Sequence, residues 1–170
     1  QSFCQPDFLK YKRTTPTQLS EENLDNYDIV VLFGVPVPEG SAAATALKNF
    51  LQKKKSLICF SDCSDSSTFK GLGVEAGEVK KELVKLDVKK LRGAYAGFMN
   101  ENDLDPLAVN FFKYCTIKNN GEAGEGGRLF VQGAEDPVML AKDVNGGKVL
   151  FCGFMAYPSY TVFFYNPNFV

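Results

Sequence analysis

The most informative absence in this chain is histidine, which does not occur among its 170 residues. A serine or cysteine nucleophile needs a neighbouring base to take its proton. Histidine fills that role most often, because its ordinary pKa lies near neutral pH. The sequence therefore lacks the usual partner for nucleophilic catalysis, and we predict that the chain is not an enzyme.

Long apolar runs and an excess of positive charge are also missing. No apolar run approaches the ~20 residues that a membrane-spanning helix needs, so we expect no membrane span within the chain. The 19 basic and 20 acidic residues give a net charge of −1, whereas nucleic-acid-binding proteins present a basic patch. The basic clusters at 53–55 and 80–92 fit solvated faces, and we expect no nucleic-acid partner.

Glycine-rich phosphate-binding motifs are absent as well. The stretch GEAGEGG at 121–127 lacks the Lys-Ser or Lys-Thr ending of a P-loop, and its glutamates would repel phosphate. Gly71, Gly73 and Gly77 do not form the GxGxxG pattern of dinucleotide-binding domains. We therefore predict no cofactor and interpret 121–127 as a flexible connection.

The cysteines that are present follow no pairing pattern. They include no CxxC motif, and an odd number excludes complete internal disulfide pairing; they are Cys4, Cys59, Cys63, Cys115 and Cys152. Cys59, Cys115 and Cys152 lie in apolar runs, where a reduced cysteine usually acts as a small hydrophobic residue. The cysteines thus leave the redox compartment open.

The length suits a single domain that covers residues 1–170. Apolar residues make up 45% of the chain and include 15 phenylalanines, which is ample material for a core. The sequence begins abruptly at Gln1 and ends abruptly at Val170. We interpret both ends as cuts within a longer protein, so that missing targeting segments say nothing about the parent.

The clearest pattern in the chain is a βαβ unit between Tyr27 and Ser67. The apolar run 29–33 is β-branched and too short for a helix, as is typical of a strand buried on both faces of a parallel sheet. Ser41 can cap a helix, and an apolar stripe follows it at i, i+4, i+7 and i+8; the stripe is Ala43, Leu47, Phe50 and Leu51. A second apolar run at 57–60 predicts the next parallel strand.

The last third of the chain has the pattern of antiparallel strands. Strand-like runs at 128–132, 138–142 and 148–154 are joined by connections too short for a helix. Asn145-Gly146 supplies the positive φ angles of a tight hairpin turn. Before them, the spacing predicts a helix at 103–112 and strands at 91–99 and 114–117. Nearer the start, we predict an edge strand at 3–11 and a short helical turn that Ser20 caps and that runs through Leu24. The apolar residues of 79–86 fit either an amphipathic helical turn or an extended segment. The predicted fold class is α/β, with a three-layer, mainly parallel sheet flanked by helices and antiparallel strands in the C-terminal third.

Three stretches carry a family resemblance: YDIVVLFGVP at 27–36, the helix ending in LKNFLQKKK at 47–55, and SLICFSD at 56–62. The pattern resembles the flavodoxin-like class I glutamine amidotransferase-like superfamily, although Lys54-Lys55 stands where members usually have Gly-Gly. Within it, the stretches 133–140, 146–151 and 166–170 are similar to the C-terminal globular domain of aerotolerance-regulator-type (BatA-like) bacterial membrane proteins.

The resemblance implies a location and a function. It implies a domain attached to a membrane protein of the bacterial cell envelope, on the periplasmic side of the inner membrane, with the cytoplasm as the alternative. Enzymes of the superfamily place a cysteine nucleophile on the turn after the second strand, which here falls at Ser61 or Asp62 with Cys63 just beyond. The histidine of their triad is absent. We therefore expect a non-catalytic binding or scaffold domain for a protein partner in a membrane-associated complex or for a small ligand.

A metal site is the alternative interpretation of the same loop. Residues 62–66 form a D-x-S-x-S sequence directly after an apolar strand, and Asp62, Ser64 and Ser66 offer the hard oxygen ligands that suit Mg²⁺. Such a loop also occurs simply because Asp and Ser side chains bond to nearby backbone amides. The alternative function is a hydrolase or transferase, with or without the help of a divalent metal ion, that uses the Ser/Asp/Cys cluster at 61–66.

The fold pattern also predicts where a ligand or partner would bind. Sites in open α/β sheets form beyond the carboxyl ends of the parallel strands. The loops at 34–40 and 61–68 both follow such strand ends, so we expect them at one edge of the sheet. The candidate binding residues there are Ser61, Asp62, Cys63 and Ser64.

Overall fold

A computed structural model of the chain describes residues 11–20, 22, 24–62, 67–87, 90, 109–118, 127–155 and 161–163. Within them the chain is an α/β protein. Its helices are α1 (Pro16–Leu19), α2 (Ala42–Gln52) and α3 (Ser67–Gly71), with a 3₁₀ turn at Leu24–Asn26. The first strands are β1 (Ile29–Phe33), β2 (Ser56–Phe60), β3 (Glu75–Lys80), β4 (Val84–Lys85) and β5 (Val109–Phe111). The later strands are β6 (Tyr114–Lys118), β7 (Arg128–Leu129), β8 (Met139–Val144), β9 (Gly147–Cys152) and β10 (Thr161–Phe163).

The predicted βαβ unit is confirmed, but its first strand is not buried on both faces. β1 lies at the edge of the sheet, where Ile29 is 54% and Val31 is 52% exposed. β1 and β2 pair in parallel from Ile29↔Ser56 to Phe33↔Phe60. The Ser41 hydroxyl accepts the Ala44 N–H at 3.1 Å and caps α2, which satisfies one of the free amides at the helix start. The predicted apolar stripe is buried against the sheet; it consists of Ala43, Leu47, Phe50 and Leu51.

The main sheet has five strands in the order β1-β2-β9-β8-β7. β9 pairs in parallel with β2, whereas β8 and β7 continue the sheet antiparallel. Four of the five strands (β1, β2, β9 and β7) therefore run in one direction and β8 runs in the other, so the sheet is mixed. The predicted hairpin between β8 and β9 is confirmed, with Asn145 at φ 51° and Gly146 at φ 87°, the positive angles that a tight turn requires.

The two faces of this sheet are covered differently. On one face, side chains of β1, β2 and β9 pack with all three helices; this helix-side core includes Leu32, Leu57 and Phe151. On the other face, Ile58, Phe60 and Leu150 pack against residues of β4, β5, β6 and β7. The helices of the described residues thus lie on one side of the sheet. The strand-side core on the other side combines strand residues with residues of connecting segments, among them Leu86, Val131 and Val138.

The predicted helix at 103–112 is wrong at its C-terminal end. Residues 109–111 form β5, which pairs antiparallel with both β4 and β10. Phe111 is 1% exposed and the next residue, Phe112, is 37% exposed, as expected when successive side chains of an extended chain point to opposite sides. Pairing on both edges outweighed the helical spacing. Residues 103–108 of this prediction lie outside the described residues, as does the predicted strand at 91–99.

Two segments that the sequence left undecided or misplaced are settled by the structure. Residues 79–86, for which a helical turn and an extended segment were both open, are extended as β3 and β4. The helical turn expected to start at Ser20 instead ends there: α1 begins after Thr15, whose hydroxyl accepts the Gln18 N–H. Pro16 at the first helical position favours that earlier start. The proposed edge strand at 3–11 lies outside the described residues except for Tyr11.

Candidate functional site

The carboxyl ends of three parallel strands meet at one edge of the main sheet. Beyond the last pair of β1 and β2, the Gly34 N–H donates to the Phe60 carbonyl at 2.9 Å. Beyond β2, the Ser61 N–H donates to the Cys152 carbonyl at 2.9 Å, which joins β2 to the end of β9. The predicted meeting of the loops after β1 and β2 is confirmed, and the chain after β9 is a third participant that the sequence did not predict.

Gly34 makes this close approach possible. It has a φ of +65°, a backbone conformation that L side chains rarely adopt. A Cβ placed there would lie 3.0 Å from Met155 Cε, 3.1 Å from Met155 Sδ and 3.5 Å from Asp62 Cβ. The three loops therefore pack closely around Gly34, where a Cβ would fit only if the Met155 side chain moved.

Thr68 fastens the first loop to the helix that follows the second one. Its Oγ1 accepts the Val37 N–H at 2.6 Å and is 3.4 Å from the Val35 carbonyl, to which it can donate. Thr68 is buried, so loss of the hydroxyl would leave a backbone donor without a partner. The loop at 34–40 is thus held against α3 by a side chain that lies 31 residues further along the chain.

A shallow cleft lies between these loops. Ser61 and Asp62 both line it, together with Leu32, Gly34, Val35, Pro36, Cys59, Phe60, Thr68 and Phe69. Ser61 is buried and Asp62 is half-buried. The cleft encloses about 10 Å³ between these walls, which is the room for about one water molecule. Cys63, Ser64 and Ser66, the other predicted site residues, lie outside the described residues.

A lysine reaches this edge from a distant part of the chain. Lys113 Nζ donates to the Asp62 carbonyl at 2.9 Å across 51 residues of sequence. Lys113 belongs to the turn between β5 and β6, and no motif around it in the sequence marks it as a site residue. Its position depends on the pairing of β6 with β3, which only the folded structure reveals.

The buried cysteines near this edge belong to the core. Burial raises the pKa of Cys59 to about 12, and burial together with the nearby Cys59 raises the pKa of Cys152. A thiol with a raised pKa keeps its proton at neutral pH and is a poor nucleophile. Both side chains are 1% exposed or less, which confirms their predicted place in the interior.

The described residues contain no group of three or more His, Cys, Asp or Glu side chains that could hold a metal ion. The predicted alternative at Asp62, Ser64 and Ser66 involves residues beyond that range, and it stays a prediction. In the part of the chain that the structure describes, no helix is both long and apolar enough to cross a membrane.

No protein-family model matches the sequence, and no curated protein matches it. Solved structures do match. Gan42B, a GH42 β-galactosidase from G. stearothermophilus, aligns with a TM-score of 0.52 and 12% identity over 79% of this chain and 20% of its own. A β-galactosidase from Bacillus circulans sp. alkalophilus aligns with a TM-score of 0.51 and 13% identity, over 79% of this chain and 21% of its own.

A cytoplasmic protein of Salmonella typhimurium also matches, with a TM-score of 0.52 and 12% identity over 79% of this chain and 63% of its own. The chain thus spans about a fifth of each β-galactosidase and less than two thirds of the Salmonella protein. At such low identity these likenesses show the fold alone, because one fold hosts many unrelated functions.

Proposed function

We propose that the chain is a non-catalytic, three-layer domain of the class I glutamine amidotransferase-like kind, and that it acts as a binding or scaffold module of a bacterial cell-envelope protein. The binding surface is the edge at which β1, β2 and β9 end. Ser61 and Asp62 provide its polar groups, with Cys63 and Ser64 following them in the sequence.

The observation that supports this proposal best is the way the edge is held in place. Three separate segments converge there, and hydrogen bonds fix each to another: Gly34 to Phe60, Ser61 to Cys152, and Thr68 to Val37. A plain connecting loop does not need such bracing. A binding surface does, because a pre-organised surface loses less entropy when a partner binds.

The size of the cleft favours a protein partner over an enclosed substrate. Ligand pockets usually bury most of the ligand surface, whereas the space between the described walls holds about one water molecule. A partner that lies across the edge and inserts one small group would suit this shape. The half-buried Asp62 could then accept a hydrogen bond from the partner's backbone or side chain.

The chemistry of the chain supports a non-catalytic role. The sequence has no histidine to act as a base, and the thiols of Cys59 and Cys152 are held protonated by burial. If the alternative function at 61–66 were correct, the chain would hydrolyse glutamine or simple esters and the Cys63→Ala variant would lose that activity. We expect no hydrolysis above background and no heat on titration with Mg²⁺ or Ca²⁺.

The binding function is tested by replacing Asp62 and Ser64 together with alanine. Wild-type and variant protein are purified from the cell envelope of the native host, and the proteins that co-purify are compared by mass spectrometry. We expect the partner to be lost from the variant while the melting temperature stays nearly unchanged. If the partner stays bound and only the melting temperature falls, the loop is structural and the binding site lies elsewhere.

A further inference from the structure

Two connections lie side by side at the outer end of the strand-side core. Lys80 of β3 pairs with Tyr114 of β6, and Val84 of β4 pairs with Phe111 of β5. The residues between these pairs, 81–83 on one connection and 112–113 on the other, must therefore run alongside each other. We call residues 80–83 and 112–113 the lysine ridge.

A hydrogen bond between Glu82 of the lysine ridge and the buried Tyr114, which follows Lys113, joins the two connections. The hydroxyl of Tyr114 donates to Glu82 Oε1 at 2.8 Å, and Tyr114 itself is 1% exposed. The Glu82 side chain is thereby turned toward the buried tyrosine. The ridge is thus anchored in the core at this point.

The lysine ridge exposes both apolar and positive side chains. Leu83 is 65% exposed and Phe112 is 37% exposed. The antiparallel register that pairs Val84 with Phe111 sets these two residues opposite each other. The ridge also carries three lysines, Lys80, Lys81 and Lys113, against the single glutamate. An exposed apolar pair within a positive field is typical of a surface that binds a partner.

The lysine ridge adjoins the candidate site. Lys113 Nζ, at one end of the ridge, donates to the carbonyl of Asp62, which lines the cleft. A partner that crosses the edge of the parallel strands can therefore continue onto Leu83 and Phe112 without leaving the surface.

We infer that the lysine ridge is a docking surface for an acidic, extended segment of the partner protein. Carboxylates of that segment pair with Lys80 and Lys81, and an apolar side chain packs on Leu83 and Phe112. Charge complementarity selects this occupant, because the adjacent Lys80 and Lys81 are both exposed. The inference rests on the proposed binding function and names the chemistry of the partner.

Other anionic partners fit the ridge less well. A lipid membrane is one such partner. A single myristoyl chain gives only marginal membrane binding, and Leu83 and Phe112 together would bury less hydrocarbon than a myristoyl chain does. Nucleic-acid binding takes its affinity from many phosphate contacts, which three lysines in a chain of net charge −1 do not provide. An acidic protein segment needs only a few ion pairs and one apolar contact.

The test uses two fluorescent synthetic peptides of equal length, one alternating glutamate with leucine and the other alternating lysine with leucine. Binding is followed by fluorescence anisotropy. We expect the acidic peptide to bind wild type, and the Lys80→Glu/Lys81→Glu variant to bind it about tenfold more weakly, because two ion pairs are replaced by repulsion. The matched control, Lys54→Glu/Lys148→Glu, reverses the same number of charges at the opposite edge of the sheet and should bind like wild type. Leu83→Ser should also weaken binding.

The outcomes separate this inference from the proposed function. Equal binding of both peptides, absent binding of the acidic peptide, or equal losses in the ridge variant and its control overturn the docking surface. Binding to phosphatidylserine vesicles without binding to the acidic peptide overturns it in favour of a lipid surface. If the ridge variant loses the acidic peptide while Asp62→Ala/Ser64→Ala retains both that peptide and the native partner, the docking surface stands and the proposed edge fails. If the ridge variant binds the acidic peptide normally and the Asp62→Ala/Ser64→Ala variant loses the native partner, the proposed edge stands and the docking surface fails.

Discussion

The two faces of the main sheet are built from very different parts of the sequence. The helix-side core centres on β1, α2 and β2, which are consecutive within residues 29–60. The strand-side core gathers residues from 58 to 154. Its strands β4, β5 and β7 come from separate parts of the chain, and β6 follows β5 after a two-residue turn. The first face is thus built mainly from local order, and the second depends on pairings between distant segments.

The candidate site lies where the local β1-α2-β2 unit meets the distant segments of the strand-side core. Its loops after β1 and β2 belong to the local unit, while Lys113 and the chain after β9 arrive from the distant segments. The site therefore depends on the contacts between these two parts of the molecule. Substitutions that disturb those contacts should cause the largest losses in the free energy of unfolding.

Gly153→Ala is expected to have the largest effect, because it disturbs those contacts. A Cβ on Gly153 would lie 2.0 Å from the backbone carbonyl oxygen of Cys115. Gly153, directly after β9, also accepts a hydrogen bond from the Cys115 N–H of β6 and donates one to the carbonyl of Val138, just before β8. Relief of the clash would have to move a backbone. We expect a loss of about 4 kcal/mol in the free energy of unfolding or failure to fold, measured by urea denaturation.

Gly133→Ala is the matched control for that clash. Gly133 has a φ of +77° but nothing within 4 Å of the added Cβ, so only the backbone conformation is penalised, by about 1 kcal/mol. Similar losses in the two variants would show that Gly153 is required for its flexibility and that β9 and β6 are not tightly joined.

Thr68→Val tests the bracing of the local unit. The valine has a similar shape, but it leaves the buried Val37 N–H without its acceptor, at a cost of about 2 kcal/mol. Hydrogen exchange at the Val37 amide should accelerate by the corresponding factor. Thr68→Ser keeps the hydroxyl and should lose less than half as much stability. An unchanged exchange rate in Thr68→Val would contradict the role assigned to this bond.

The buried thiol of Cys59 predicts how stability depends on pH. Burial raises its pKa from the ordinary 9.0 to about 12, so at alkaline pH the unfolded state loses this proton first. The unfolded state then binds fewer protons, and the free energy of unfolding falls as the pH rises from 9.0 toward about 12. The slope approaches about 1.4 kcal/mol per pH unit for one thiol. Cys59→Ala should show a shallower fall in denaturant titrations; parallel curves for the two proteins would argue against a buried, protonated Cys59.

Lys54→Gly should give the smallest effect and is the one stabilising change. Lys54 has a φ of +61° just after α2, a position at which glycine is usual. Relief of the strained backbone should raise the free energy of unfolding by about 1 kcal/mol. The adjacent Lys53 has an ordinary φ of −84°, and Lys53→Gly should not stabilise. Stabilisation by both substitutions would point to charge removal as the cause.

The sequence predicted the local unit closely because its signals are local. The cap at Ser41, the apolar stripe of α2 and the turn at Asn145-Gly146 each depend on neighbouring residues. The same logic placed Ser61 and Asp62 at the end of β2, next to the loop after β1.

The strand-side core could not be predicted in this way. The apolar side chains of 103–112 follow helical spacing, and only pairing with β4 and β10 makes 109–111 a strand. Lys113 reaches Asp62 because β6 pairs with β3, and nothing within a few residues of Lys113 encodes that contact. Long-range strand pairing therefore explains both the wrong helix prediction at 109–111 and the failure to predict Lys113 at the site.

Photo-crosslinking in the native cell tests the central claim, that the edge of the parallel strands holds a partner. A benzoylphenylalanine is placed at Pro36, which lines the cleft, or at Lys148, which is exposed at the other end of the sheet. We expect a discrete protein adduct from position 36 that disappears in the Asp62→Ala/Ser64→Ala variant, and none from position 148. No adduct from position 36, or the same adducts from both positions, would contradict it.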